Sequence, residues 1–250
     1  MEKTDEKQFR FGLLGKNISY SFSKGYFTKK FSELDLPNYS YENFDMAHIS
    51  EFTEVIQKTA HLSGLNVTIP YKQEIIPYLN ELAPSALEIG AVNTIKITPT
   101  GLKGFNTDAY GFQKSLEPYL KQHHNKALIL GTGGASKAVA YVLDQLKIEY
   151  SFVSRTGKNN GYTYGNLDQN SIESHRLLIN CSPLGTFPNI TDKPKIPYAF
   201  IGQKHLLFDL IYNPEKTAFL AQGEIQGATI LNGLRMLELQ AEKAWEIWNT

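Results

Sequence analysis

Gly131-Thr-Gly-Gly-Ala-Ser136 has the residue types and spacing to hold a diphosphate. It follows an apolar run, Ala127-Leu-Ile-Leu130, and opens a segment of helical periodicity over residues 137–146. Strand, glycine turn and helix in that order leave the first N–H groups of the helix without main-chain partners, pointing at any anion beyond them. A dinucleotide pyrophosphate is such an anion. The third position of the usual glycine fingerprint is Ser136 here, so the motif rests on its context. A strand before it, a helix after it and an apolar strand at residues 150–154 complete a βαβ opening. The structural alternative is an ordinary tight β–α turn.

The end of the second strand bears on which dinucleotide. A site for the free ribose 2′-hydroxyl of NAD usually places Asp or Glu about 20 residues after the glycine turn. The sequence there is Ser154-Arg155-Thr156-Gly157-Lys158, with no acid. Arg155 offers two parallel N–H groups to a 2′-phosphate and Lys158 adds a point charge. The pattern predicts NADP rather than NAD; a solvated basic turn is the plainer reading.

Three clusters in the first half carry groups for a polar substrate. Ser21 and Ser23 lie between a strand and a helix, where hydroxyls cap the helix or hold a carboxylate. Asn66 and Thr68 fall on one face at a strand end, with Lys72 just past Pro70. Asp108 closes Gly104-Phe-Asn106-Thr-Asp108. Taken singly, the serines read as caps, Lys72 as a surface lysine and Asp108 as a helix cap. Together they suit a different task. An alcohol oxidised by a nicotinamide loses a proton as its hydride leaves, and a poised lysine oriented by a carboxylate handles that proton.

Composition excludes several other classes. In 250 residues, 25 basic side chains balance 25 acidic ones, which argues against a nucleic-acid partner or a membrane surface. One cysteine, Cys181, forms no intrachain disulfide and predicts a reducing, cytoplasmic setting. The charged start predicts no secretory leader, and no apolar run approaches the roughly 18 residues of a membrane span. The six histidines lack ligand spacing, so no metal is assigned.

These groups need elements to position them. Residues 9–14 read as a strand, 25–34 as a helix, 39–45 as a strand, 49–58 as a helix and 64–68 as a strand stopped by Pro70. Residues 74–82 read as another helix. Residues 91–97 and 101–104 read as strands around a turn at Pro99. A helix over 109–123 leads into the nucleotide-binding unit, whose later strands are 177–180 and 205–211. Residues 157–170 hold no apolar run and predict a short connection. Residues 234–248 form a long amphipathic helix ending in two tryptophans. Alternating strands and helices predict an α/β fold of two α/β domains.

In chain order the motifs resemble those of the shikimate dehydrogenase family over nearly the whole length. They are Ser-x-Ser at Ser21 and Ser23, Asn-Val-Thr-x-Pro-x-Lys at Asn66 to Lys72, Gly-Ala-Val-Asn-Thr at Gly90 to Thr94, and Asn-Thr-Asp at Asn106 to Asp108. The glycine turn, Arg155-Thr156, Asp-Leu-Ile-Tyr-Asn-Pro-x-x-Thr at Asp209 to Thr217, and Gly233-x-x-Met-Leu-x-x-Gln-Ala241 complete the set. The family usually reads His-Ser-Lys-Ser-Pro where this chain has Tyr20-Ser-Phe-Ser-Lys24, and Asn where it has Ser154. Its usual basic residue after Arg-Thr corresponds to Lys158, one place out of register.

The resemblance implies an N-terminal substrate domain over residues 1–108, joined by 234–250, and a Rossmann-type NADP domain over 109–233. It implies Lys72 and Asp108 as the catalytic pair, and Ser21 and Ser23 on the substrate carboxylate. Asn66, Thr68, Asn93, Asp108 and Gln240 would meet the ring hydroxyls, with Tyr212 near the carboxylate and nicotinamide. Gly131, Gly133, Gly134, Ala135, Ser136, Ser154, Arg155, Thr156, Lys158 and Gly233 would hold NADP. The implied reaction is reversible reduction of 3-dehydroshikimate to shikimate by a monomer or homodimer. A quinate enzyme using NAD is the nearest alternative. A non-catalytic NADP- or metabolite-binding relative is the other, and the pairing of Lys72 with Asp108 argues against it.

Overall fold

Alternating strand and helix patterns produce two separate six-stranded sheets. The computed structural model describes residues 8–19, 21–157 and 161–250; Lys158 and the charged N-terminal residues lie outside them. By internal contacts the chain divides into two units: residues up to Thr107 together with Ala241–Thr250, and Asp108–Gln240.

The first unit runs β1 (Phe9–Gly15), α1 (Phe22–Glu33), β2 (Tyr39–Asp45), a 3-10 turn at Ile49–Glu51, α2 (Phe52–Lys58) and β3 (Leu62–Val67). A 3-10 turn at Ile76–Tyr78, β4 (Glu81–Leu82), α3 (Pro84–Ile89), β5 (Thr94–Thr98) and β6 (Gly101–Phe105) follow. The second unit runs α4 (Asp108–Leu116), a 3-10 turn at Glu117–Tyr119, β7 (Lys126–Leu130), α5 (Gly134–Gln145), β8 (Glu149–Ser154) and β9 (Tyr162–Thr163). It continues through α6 (Gln169–Ser174), β10 (Leu177–Asn180), β11 (Leu206–Asp209), α7 (Ala218–Ile225), β12 (Thr229–Leu231) and α8 (Leu234–Asn249). Residues of α8 from Ala241 onward belong to the first unit.

The first sheet is mixed, in the order β2-β1-β3-β5-β6-β4. Helical crossovers keep β1 parallel to β2 and β3, whereas the tight turn at Pro99 makes β5 and β6 an antiparallel hairpin. One face packs Leu14, Met46, Leu65, Val67 and Ile95. The other is aromatic: Phe11, Phe27, Phe31, Tyr41 and Trp248 form one buried cluster, and the Trp248 indole donates to the Ile95 carbonyl at 3.0 Å. The end of α8 thus closes the first unit. Lys30 clamps it there through Glu242 at 2.7 Å.

The second sheet is wholly parallel, in the order β12-β11-β10-β7-β8-β9. Counted from β7, that is the doubly wound order 3-2-1-4-5-6, which reverses between β7 and β10. Residues 127–130 of β7 are wholly buried, as the continuous apolar run of a strand covered on both faces must be.

Several boundaries differ from the sequence expectation. Helix α1 starts at Phe22 rather than residue 25, because Ser21 caps it. Residues 74–82 are not a helix. Pro77 lacks the N–H that would extend the turn, and Asn80 pairs with Leu102 in both directions, its N–H at 2.9 Å and its Oδ1 at 2.7 Å. That pairing draws Glu81–Leu82 into the sheet edge as β4. The helix expected over 109–123 ends at Leu116, where Pro118 leaves only a 3-10 turn. Strand β11 is shorter than residues 205–211 and stops at Asp209. Helices α3, α6 and α7 and strands β9 and β12 were too short for periodicity to mark.

Candidate active site

The first unit carries its candidate groups at the start of α1, along β2, at the end of β3 and at the start of β5. Ser21 is the N-cap of α1, and its Oγ accepts the Lys24 N–H at 3.3 Å. A proline, usual at that place in the family, has no such N–H. The cap therefore uses a lone pair of Ser21 and leaves its O–H to donate to an anion. Ser23, in the first turn of α1, is buried.

From Tyr41 a buried hydrogen-bond chain crosses the unit. The Tyr41 hydroxyl donates to Asn66 Oδ1 at 2.7 Å, and Asn66 Nδ2 reaches the Asn93 carbonyl at 3.3 Å and Thr94 Oγ1 at 3.2 Å. Antiparallel register sets Asn66 directly opposite Thr94, which is why they meet. The Asn93 Oδ1 accepts the Thr107 N–H at 2.7 Å, and Asn93 Nδ2 donates to Thr107 Oγ1 at 2.9 Å. Asn106 Nδ2 donates to the Ala91 carbonyl at 2.9 Å. All these residues are under a tenth exposed. Burial pushes the Tyr41 phenol far above its ordinary range, against the smaller opposing effect of Ser23.

Lys72 follows β3 in a turn where the Tyr71 N–H bonds the Thr68 carbonyl at 2.9 Å. Its own carbonyl accepts the Val92 N–H at 2.7 Å, one residue before Asn93. Lys72 and Thr68 are half-buried. Asp108 is buried and begins α4, where the helix dipole favours a carboxylate. It belongs to the second unit, as does Gln240, whose Nε2 donates to the Leu237 carbonyl at 2.9 Å. Tyr41 escaped the sequence reading, and Thr94 and Thr107 stood in its motifs without a role of their own. A tyrosine on the inward face of a strand reads as core, and only the register brings its hydroxyl to Asn66.

In the second unit the glycine turn lies at the switch point of the sheet. Gly131 has φ +112, and a Cβ there would meet Cys181 and Ser182 main-chain atoms at 3.3 Å. The turn thus fits between the ends of β7 and β10, where doubly wound sheets bind nucleotides. Gly133 is the N-cap of α5 and no side chain caps that end. A Cβ on Gly133 or Gly134 would meet nothing within 4 Å, so this helix mouth is open for close approach by a diphosphate. Ser136 closes the turn instead, its buried Oγ donating to the Gly133 carbonyl at 2.6 Å. Arg155 and Thr156 are exposed just past β8, and no described carboxylate pairs with Arg155. Ser154 is buried at the strand end, opposite Thr163. These residues fit a 2′-phosphorylated dinucleotide; Lys158 lies outside the described residues.

A second buried cluster stands at the ends of β10 and β11. Asp209 accepts from Thr217 Oγ1 at 2.6 Å, Asn180 Nδ2 at 3.0 Å and the Ile211 N–H at 3.1 Å. Burial outweighs these donors and pushes its carboxyl up to about 6. Burial, aided by Asp209, also raises the Cys181 thiol. The cluster ties down the loop carrying Tyr212, which is about one third exposed. Gly233 packs so tightly on that loop that a Cβ would run into the Leu210 carbonyl. Among the described residues no group of His, Cys, Asp and Glu is placed to hold a metal, and no helix is long and apolar enough to cross a membrane.

Residues 13–95 match the family model described as the shikimate dehydrogenase substrate binding domain. The chain is 35% identical over 247 residues to the NADP(+) shikimate dehydrogenase of Clostridium botulinum, covering 95% of each. Shikimate 5-dehydrogenase of Thermus thermophilus, solved in complex with NADP(H) and shikimate, superimposes with TM-score 0.85 at 29% identity, over 96% of this chain and 93% of that one. The Listeria monocytogenes enzyme, solved with shikimate and NAD, gives TM-score 0.85 at 27% identity, over 100% and 94%.

Proposed function

The chain belongs to the shikimate dehydrogenase family, and from that premise we propose which of its residues carry the reaction. It is an NADP-dependent oxidoreductase acting on a CH–OH group, and its reaction is the reversible reduction of 3-dehydroshikimate to shikimate. The nicotinamide of bound NADP supplies the hydride chemistry. The α5 end with Gly133, Gly134 and Ala135 holds the diphosphate, and Arg155 with Thr156 holds the 2′-phosphate.

Lys72 serves the substrate oxygen as hydride moves at its carbon. It donates a proton in reduction and accepts one in oxidation, or holds the oxyanion by its charge. Asp108 orients Lys72 and takes a ring hydroxyl, while Ser21 and Ser23 hold the carboxylate. Asn66, Thr68, Asn93 and Gln240 meet the remaining hydroxyls, and Tyr212 borders the carboxylate. The first unit is the substrate domain and the second the NADP domain, in a cytoplasmic monomer or homodimer. The observation that carries this reading is the buried array from Tyr41 to Thr107, which leads along the chain directly to Asp108. A polyol acid needs such an array of fixed donors and acceptors, and a structural core does not.

The test is reduction of NADP or NAD, followed by nicotinamide absorbance, with shikimate or quinate as substrate. Shikimate with NADP should be the fastest pair. Preference for quinate with NAD would replace the reading by its nearest alternative, and silence with every pair would leave a binding protein.

A further inference from the structure

Asn180, the last residue of β10, is wholly buried, and its side-chain amide is bonded to capacity. Its Nδ2 donates to Asp209 Oδ1 at 3.0 Å and to the Leu184 carbonyl at 3.4 Å. Its Oδ1 accepts the Ser182 N–H at 3.0 Å and the Ser182 hydroxyl at 2.7 Å. A main-chain N–H only donates and a main-chain carbonyl only accepts, so the amide has one orientation. It folds residues 182–184 back over the strand end. Asp209 extends the anchor to Thr217, whose hydroxyl it accepts at 2.6 Å. Thr217 abuts the same loop, since a Cβ on Gly185 would stand 3.5 Å from it. The loop cannot take another path without leaving buried polar groups unpaired, which is costly.

The pinned residues border the glycine turn: a Cβ on Gly131 would lie 3.3 Å from the Ser182 nitrogen. Arg155 and Thr156 follow β8 on one side of β7, and β10 lies on the other side. A dinucleotide with its adenosine end at Arg155 therefore carries its nicotinamide half over the end of β10. We propose that Asn180 is a positioning residue for the cofactor: it fixes the loop at residues 182–185 against which the nicotinamide half of NADP lies. The proposal rests on the NADP reading given above. Hydride transfer needs the ring held at one place and angle, and a loop anchored by a saturated buried amide supplies that constraint.

Asn180→Ala removes all four side-chain bonds. Titration calorimetry with NADP and with adenosine 2′,5′-bisphosphate separates the two halves of the site, because the bisphosphate carries the adenosine end alone. The dissociation constant for NADP should rise about 3- to 30-fold, the scale of one or two lost hydrogen bonds. That for the bisphosphate should stay within about twofold of the wild type. A purely structural asparagine would lower the melting temperature and leave both constants unchanged, or weaken both alike; either result overturns the proposal. Should Asn180→Ala fail to fold, Ser182→Ala, at a half-buried loop position, cuts only the 2.7 Å bond. NADP should then weaken about 2- to 5-fold and the bisphosphate not at all, and equal effects on both overturn the proposal. Calorimetry needs no turnover, so a wild type that binds NADP without oxidising shikimate would count against the reaction and not against Asn180.

Discussion

In the first unit the candidate ligand groups are side chains that already hydrogen-bond one another. In the second they are main-chain N–H groups at a helix mouth, with empty space where side chains would be. The contrast follows from the ligands. A ring of hydroxyls with a carboxylate is told from its relatives by where each donor and acceptor stands, so those groups must be fixed in advance by buried partners. A diphosphate presents many equivalent oxygens and a large charge, so oriented dipoles and close approach suffice. Substitutions should therefore damage the two units differently: by misplacing groups in one and by filling space or removing charge in the other.

The largest effect is expected at Lys72. Lys72→Ala should fold normally and bind NADP normally, with turnover down about 10²- to 10⁴-fold. Lys72→Met keeps the stem and should be nearly as slow. A folded Lys72→Ala enzyme with near-normal steady-state turnover would falsify the proton-transfer role while leaving the NADP site untouched. Next is Arg155→Ala, which should weaken NADP about 10- to 100-fold and hardly change NAD. Equal losses for both cofactors, measured as Michaelis constants, would show that Arg155 does not read the 2′-phosphate.

Asp209 blurs the contrast, since it is a buried side-chain network inside the second unit. Its carboxyl rises from an ordinary 3.8 to about 6 on folding, so between those values the folded chain holds a proton that the unfolded chain has lost. Its contribution to stability is fully present below the lower value and is lost as pH rises through about 6. Asp209→Asn stays neutral throughout. Relative to that variant, the wild type should gain on the order of 1–2 kcal/mol between pH about 7 and about 4. Melting curves with parallel pH dependence would show that Asp209 is charged in the fold across that range.

The smallest effect separates folding from binding. A Cβ on Gly134 meets no protein atom and sits in the first turn of α5. Gly134→Ala should therefore raise the melting temperature slightly, by up to about 1 kcal/mol in stability. It should also raise the Michaelis constant for NADP several-fold, because the methyl group enters the space for the diphosphate. Unchanged NADP affinity would mean that the ligand stands off that surface.

The second unit was the more legible of the two. Its glycine turn, preceding strand and basic turn at Arg155 are contiguous residues, and their chemistry is local. Ser21, Ser23, Asn66 and Lys72 were legible as types at strand and helix ends, because polar residues beside breakers stand out against apolar runs. Residues 74–82 misled because Pro77 and the pairing of Asn80 with Leu102 outweigh a helical pattern. Asp209 passed as one letter of a motif, since nothing local reveals that Asn180 and Thr217 converge on it.

The sequence alone determined the α/β class, the nucleotide turn, the absence of an acid opposite a 2′-phosphate and the polar clusters of the first half. Each of these depends on neighbours within a few residues, where backbone periodicity and steric rules act. Tertiary structure alone decided that Ser136 closes its turn, that Lys24 leaves Ser21 a donor, and that the Tyr41 hydroxyl meets Asn66. Those outcomes depend on strand register and helix packing, which bring together residues as far apart as Tyr41, Asn66 and Thr94. A hydrogen bond needs its partners within about 3 Å, and only the assembled sheet sets that distance.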